Sequence, residues 1–198
     1  DQLTYLAEVL NQYQNGLIVC GPMDNFGFAK AVTQMAAHLK FPVLADPLSQ
    51  LRSGTHSGDH IIDGYDTILR VEDVKQQLKP EIVIRFGAMP VSKALSIFLK
   101  ENHDAVQMVI DGGSGWRDPA NLSTDMIYCD ETVFCEKVLG YTQEKTTSSY
   151  LENWRQTNLI AKENISKVRD WKEMSESKLF NQLADILPEK ATLFVSNS

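Results

Sequence analysis

Between residues 17 and 128, short runs of apolar and β-branched residues alternate with longer segments in which apolar positions recur every three or four residues. This alternation predicts parallel strands joined by crossover helices. The predicted strands are 17–20, 42–45, 67–69, 82–86, 106–110 and 125–128. Most are apolar on both faces, as strands covered on both sides must be. Phe28, Val32, Met35, Ala36 and Leu39 form one helical stripe, and Val91, Leu95, Phe98 and Leu99 form another. Leu3, Leu6, Ala7 and Leu10 mark an opening helix over 3–13. The predicted class is α/β: a doubly wound, mostly parallel, Rossmann-like sheet of about six strands with helices on both faces.

After Gly140 the pattern changes. Residues 148–177 are polar, rich in Lys and Glu, and carry Trp154, Leu159, Ile165, Val168 and Trp171 near a helical spacing. They predict a long C-terminal helical segment with a narrow apolar seam. Phe180, Leu183, Ile186 and Leu187 predict a short helix that stops before Pro188, whose ring cannot continue it. Residues 47–65 form the longest stretch without a period, and loops of that length are often functional. The chain lacks an initial Met and closes on the apolar run Leu193-Phe194-Val195. We therefore expect 191–198 to open a strand completed in a following domain, with 1–190 the domain before it, since a strand without a neighbour leaves polar backbone groups unpaired.

Composition narrows the function classes. The 198 residues, 43% of them hydrophobic, suffice for one domain with a sizeable core. Lys+Arg 19 against Asp+Glu 26 gives a net charge of -7, which repels polyanions, so no nucleic-acid partner is expected. No apolar run approaches the roughly 20 residues of a membrane span, so no membrane insertion is expected. Cys20, Cys129 and Cys135 are odd in number and lack C-x-x-C spacing, which reads as reduced thiols in a cytoplasmic protein.

In open α/β sheets, ligands bind beyond the carboxyl ends of the strands. Gly21 and Gly27 surround a loop there, but the order G-x-G-x-x-G is absent, and Asp46 alone is a weak sign of a ribose site. His56 and His60 are four apart, yet Gly54 and Gly58 argue against the helix that would let them share a metal. Cys20 has no basic neighbour to activate it. No Ser-His-Asp elbow, phosphate loop or paired catalytic carboxylates stand out, so no catalytic, cofactor-binding or metal-ligating residue is assigned within the chain.

A set of cations remains at this edge: Arg52, Arg70, Arg85, Lys93 and Arg117. Beside helix N-termini they would form an anion site for carboxylates or phosphates. For Arg85 a structural ion pair with Asp46, Asp111 or Glu81 is the equal alternative. Lys93 just inside a helix N-terminus opposes the helix dipole, which invites a functional explanation.

The segments Phe41-Pro42-Val43-Leu44-Ala45-Asp46-Pro47-Leu48-Ser49-Gln50-Leu51-Arg52, Tyr65-Asp66 with Leu69-Arg70, and Val83-Ile84-Arg85-Phe86-Gly87-Ala88-Met89-Pro90-Val91-Ser92-Lys93 closely resemble the middle domain of the MenD family, over nearly the whole chain. These are the 2-succinyl-5-enolpyruvyl-6-hydroxy-3-cyclohexene-1-carboxylate synthases of menaquinone biosynthesis. The resemblance implies a three-domain, homo-oligomeric (dimeric or tetrameric) transferase using thiamine diphosphate and Mg2+. Such an enzyme decarboxylates 2-oxoglutarate and adds the succinyl-semialdehyde carbanion to isochorismate. The cofactor is implied to lie between the N- and C-terminal domains of different subunits, with none expected in this segment, which would be inactive alone.

The resemblance assigns Lys93 a substrate-binding role on the isochorismate side. Ala94 stands where some family members have Arg, so a two-cation clamp does not carry over. Arg52, Arg70 and Arg85 are candidates only for an anion or effector pocket. The alternative reading is a carboxylate- or nucleotide-binding module without catalysis.

Overall fold

The computed structural model describes residues 2–113 and 115–195. They fall into two compact units, Asp1–Asn158 and Leu159–Ser198. The first unit opens with α1 (Gln2–Gln12), which buries Leu6, Ala7 and Leu10, and continues into β1 (Gly16–Cys20). Next come α2 (Phe28–Leu39), β2 (Val43–Ala45), β3 (Ile61–Ile62), α3 (Tyr65–Ile68) and α4 (Glu72–Gln77). Then follow β4 (Ile82–Phe86), α5 (Lys93–Glu101), β5 (Val106–Ile110), β6 (Asp125–Ile127) and α6 (Glu131–Val138). Helix α7 (Ser149–Ser166) contributes its first ten residues to this unit.

The six strands form one sheet in the order β3-β2-β1-β4-β5-β6, parallel at every pairing. This is the doubly wound order, with its reversal point between β1 and β4. Because side chains alternate across a strand, each central strand feeds two cores. Ile18, Cys20, Val43, Ile82, Ile84, Phe86, Met108 and Ile110 share one cluster with residues of α1, α2 and α6. Phe86 anchors it, edge-to-face with Phe28 at 5.1 Å and Phe134 at 5.9 Å. The intervening positions, Leu17, Val19, Leu44, Val83, Arg85 and Val109, are also buried and take the other parity. Buried Leu95, Phe98 and Leu99 of α5 and Trp154 of α7 lie outside the first cluster, and Phe98 meets Trp154 at 6.4 Å.

Local chemistry sets the element ends. Ser92 and Asp130 cap α5 and α6 by accepting the backbone N–H groups of Leu95 and Val133. Helix α2 ends where Lys40 turns left-handed at φ 54° ahead of Phe41-Pro42. The ammonium of Lys145 donates to the carbonyls of Leu10 and Tyr13, holding the end of α1 from far along the chain.

Three expectations need correction. Residues 67–69 are not a strand: Tyr65–Ile68 is a helical turn, and the edge strand is Ile61–Ile62, inside the stretch read as aperiodic. A two-residue strand leaves too short a pattern to read, whereas Thr67-Ile68-Leu69 has strand composition without strand surroundings. The long helix ends at Ser166 rather than 177 and gives way to a 3-10 turn, Lys167–Asp170. Its apolar seam is not continuously buried either: Trp154 and Val168 are covered, while Leu159, Ile165 and Trp171 are exposed.

The second unit contains the end of α7, the 3-10 turn and α8 (Glu176–Ile186). Ser175 caps α8, and Arg169 ties the turn to it through the carbonyl of Asn181 at 2.6 Å and Asp185 at 2.5 Å. Residues 191–195 have no regular secondary structure, and the rest of the expected terminal strand, 196–198, lies outside the described residues. No described helix is long and apolar enough to cross a membrane.

Candidate functional site

At the reversal point between β1 and β4 the loops that follow the two strands pack backbone against backbone. A Cβ at Gly21 would lie 1.7 Å from the carbonyl oxygen of Ala88. Gly87, at φ +69°, is confined less severely, with 2.8 Å between a Cβ there and the oxygen of Pro22. The loops after β1 and β4 thus approach each other main chain to main chain.

Beside this contact is a cavity of about 660 Å³. Its lining includes Asp24, Asp111, Asp130 and Glu131 but Arg117 as its one cation. Arg117 Nε donates to Asp111 Oδ1 at 3.3 Å, so Arg117 is an ion-pair partner rather than a free anion ligand. Ser114, in the same loop, lies outside the described residues. No group of three His, Cys, Asp or Glu side chains among the described residues converges as a metal-ligand set. His56 instead bonds the carbonyl of Leu51 at 2.9 Å, and His60 is buried.

The predicted cations divide into two groups. Arg85 is 2% exposed and donates from Nη2 to Asp118 Oδ1 at 2.9 Å, while its Nη1 faces the sulfur of Met89. The ion-pair reading holds, with a partner other than the three expected. Asp118 is fully buried and also accepts the backbone N–H groups of Leu122 and Ser123, each at 2.6 Å. Burial opposes its ionisation, but the bonds from Ser123 and Leu122 and the charge of Arg85 outweigh that and hold Asp118 below the usual carboxylate range. Nothing in the spacing of Arg85 and Asp118, 33 residues apart, signals the pair.

Arg52, Arg70 and Lys93 gather instead around the turn Tyr65-Asp66. The guanidinium of Arg52 sits 5.9 Å from the ring centre of Tyr65, and its Nε donates to the Ala45 carbonyl at 2.9 Å. Arg70 is exposed and donates to Asp66 Oδ2 at 2.9 Å. It follows α3 rather than closing a strand. Asp66 Oδ1 accepts a 2.6 Å bond from the hydroxyl of Ser92, the residue that caps α5. Burial disfavours the Asp66 carboxylate, yet the bonds from Ser92 and Arg70 and the charge of Arg52 pull it below its ordinary range.

Lys93 is the first residue of α5 and is exposed, and no carboxylate among the described residues pairs with it. Asp46 stabilises the approach to it from β2. Its buried carboxylate accepts from Leu48 N at 2.9 Å and Val91 N at 3.4 Å, so it holds two loops together rather than standing open as a ribose ligand. Sequence reasoning missed Asp66 and Asp118 as organisers, although Tyr65-Asp66 lies within the segments that carry the family resemblance.

A 3-2-1-4-5-6 parallel sheet with a cavity of charged lining beside its reversal point defines a Rossmann-like domain that offers charged groups at its edge. The model for the family described as "Middle domain of thiamine pyrophosphate" matches residues 7–195, and the chain belongs to that family. It is similar to the 2-succinyl-5-enolpyruvyl-6-hydroxy-3-cyclohexene-1-carboxylate synthase of Geobacillus kaustophilus (strain HTA426), at 45% identity over all of this chain and 34% of that one. The synthase of the same name from Geobacillus thermodenitrificans (strain NG80-2) is 46% identical with the same coverage. The chain thus spans about a third of the length of these curated relatives. Among solved structures it is similar to benzoylformate decarboxylase from Polynucleobacter necessarius, with TM-score 0.45 and 14% identity over 76% of this chain and 28% of that one.

Proposed function

We propose that this chain is the central domain of a cytoplasmic, homo-oligomeric synthase of the MenD type. Residues 1–190 form that domain and 191–198 lead into the next. The parent decarboxylates 2-oxoglutarate and joins the succinyl-semialdehyde unit to isochorismate, giving the cyclohexene carboxylate product and CO2. The observation that carries this reading is the 45% identity maintained across the entire chain.

In this reading thiamine diphosphate supplies the electron sink for decarboxylation, with Mg2+ on its diphosphate. The described residues show no metal-ligand set, and no cofactor-dependent step is assigned to them. Their contribution is positional and electrostatic. The exposed ammonium of Lys93, at the positive end of α5, attracts and orients a substrate carboxylate. Arg52 and the exposed Arg70, which already donates to Asp66, are the remaining candidates for an effector carboxylate, while Arg85 is committed to Asp118.

The test is to supply purified residues 1–198 with thiamine diphosphate, Mg2+, 2-oxoglutarate and isochorismate, beside the full-length enzyme. The full-length enzyme turns over; the segment releases no CO2 and shows no calorimetric cofactor binding. Turnover by the segment alone would refute the reading.

A further inference from the structure

The residue after Ser92 is the one assigned to substrate, so what fixes Ser92 also fixes the base of Lys93. Ser92 has extended backbone, at φ -60° and ψ 117°, and its hydroxyl serves two partners. The oxygen accepts the N–H of Leu95 at 3.1 Å, and the single hydroxyl proton goes to Asp66 Oδ1 at 2.6 Å. That length falls within the range of about 2.5–2.7 Å for a hydroxyl bonded to a carboxylate, the stronger charge-assisted kind. Asp66 is itself held on its other oxygen by Arg70, one helical turn further along the chain. On the preceding side, Val91 N is anchored to Asp46. The start of α5 is thereby fastened to two other segments by carboxylates.

We infer that Asp66, acting through the hydroxyl of Ser92, is a positioning residue that fixes the first turn of α5 and so aims Lys93 at its carboxylate. The inference rests on the substrate role proposed above for Lys93. A long flexible side chain binds with useful geometry only if its backbone origin is fixed, because a misplacement of about 1 Å can remove much of the benefit of orientation. Asp66 touches no substrate in this scheme; it acts on the cap.

Steady-state kinetics of the full-length enzyme test the role with four variants: Asp66→Asn, Ser92→Ala, Ser92→Thr and Lys93→Gln. Asp66→Asn and Ser92→Ala are expected to raise the KM for isochorismate roughly tenfold, with kcat and the KM for 2-oxoglutarate within about twofold, the pattern of lost uniform binding. Ser92→Thr restores the parent value, since a threonine hydroxyl can cap and donate in the same way. A purely structural role would lower the melting temperature or the yield of folded enzyme and leave the isochorismate KM unchanged. If Lys93→Gln raises that KM while Asp66→Asn and Ser92→Ala do not, the positioning role is wrong and the substrate role of Lys93 stands. If Lys93→Gln leaves it unchanged, the substrate role fails and the positioning role falls with it. Should Asp66→Asn lower the yield of folded enzyme, its KM for isochorismate still decides, because KM does not depend on the concentration of active enzyme.

Discussion

Arg85 and Asp118 form a buried ion pair, 2.9 Å between Nη2 and Oδ1, that joins the middle of the sheet to the loop following β5. Asp118 also accepts two backbone N–H groups, so one carboxylate both neutralises a guanidinium and shapes a turn. Replacing it strands a buried cation and two part-buried donors. Asp118→Ala is therefore expected to destabilise the domain by about 3–5 kcal/mol, read as a lower urea midpoint. A loss under about 1 kcal/mol, the scale of an exposed pair, would contradict the burial described.

Gly21 is required by space rather than by backbone dihedral. With the Ala88 oxygen 1.7 Å from the position of a Cβ, Gly21→Ala must push apart the loops after β1 and β4. The expected loss is at or above the upper end of the about 1–3 kcal/mol typical of overpacking, seen as a clear fall in melting temperature. An unchanged melting temperature would mean that the reversal point is open, and would revive the nucleotide-binding alternative.

His60 carries a pH signature. Burial, then the charges of Arg155 and Lys40, lower its pKa from 6.5 to about 4, against the opposing pull of Asp59 and Glu152. Between about pH 6.5 and pH 4 the unfolded chain binds a proton that the folded chain refuses, so stability falls as pH falls through this window. Above it, His60 adds no slope. Urea titrations at several pH values should show His60→Gln losing less stability than the parent between pH 7 and pH 4.5; parallel curves would place His60 in solvent.

The sheet was legible where elements were long and periodic. The stripes of α2 and α5 and the largely apolar β1, β4 and β5 each carry enough positions to fix type and place. Ile61-Ile62 was not legible, because two residues form a strand only when a neighbour supplies the ladder, and the pairing with Val43 and Leu44 is visible only in three dimensions. At the candidate site, residue types and the strand-end rule brought out Arg52, Arg70, Arg85 and Lys93. Their partners did not emerge, since an ion pair such as Arg85–Asp118 has no spacing rule across 33 residues. The Asp66–Ser92 bond was hidden for the same reason: it joins helices separated by a strand.

The most direct test is a crystal structure of the full-length enzyme bound to isochorismate. The account predicts the Nζ of Lys93 at about 2.7–3.2 Å from a substrate carboxylate oxygen, on a first turn of α5 still capped by Ser92. Isochorismate bound with that ammonium turned to solvent, or engaged by cations of the other domains alone, would contradict it.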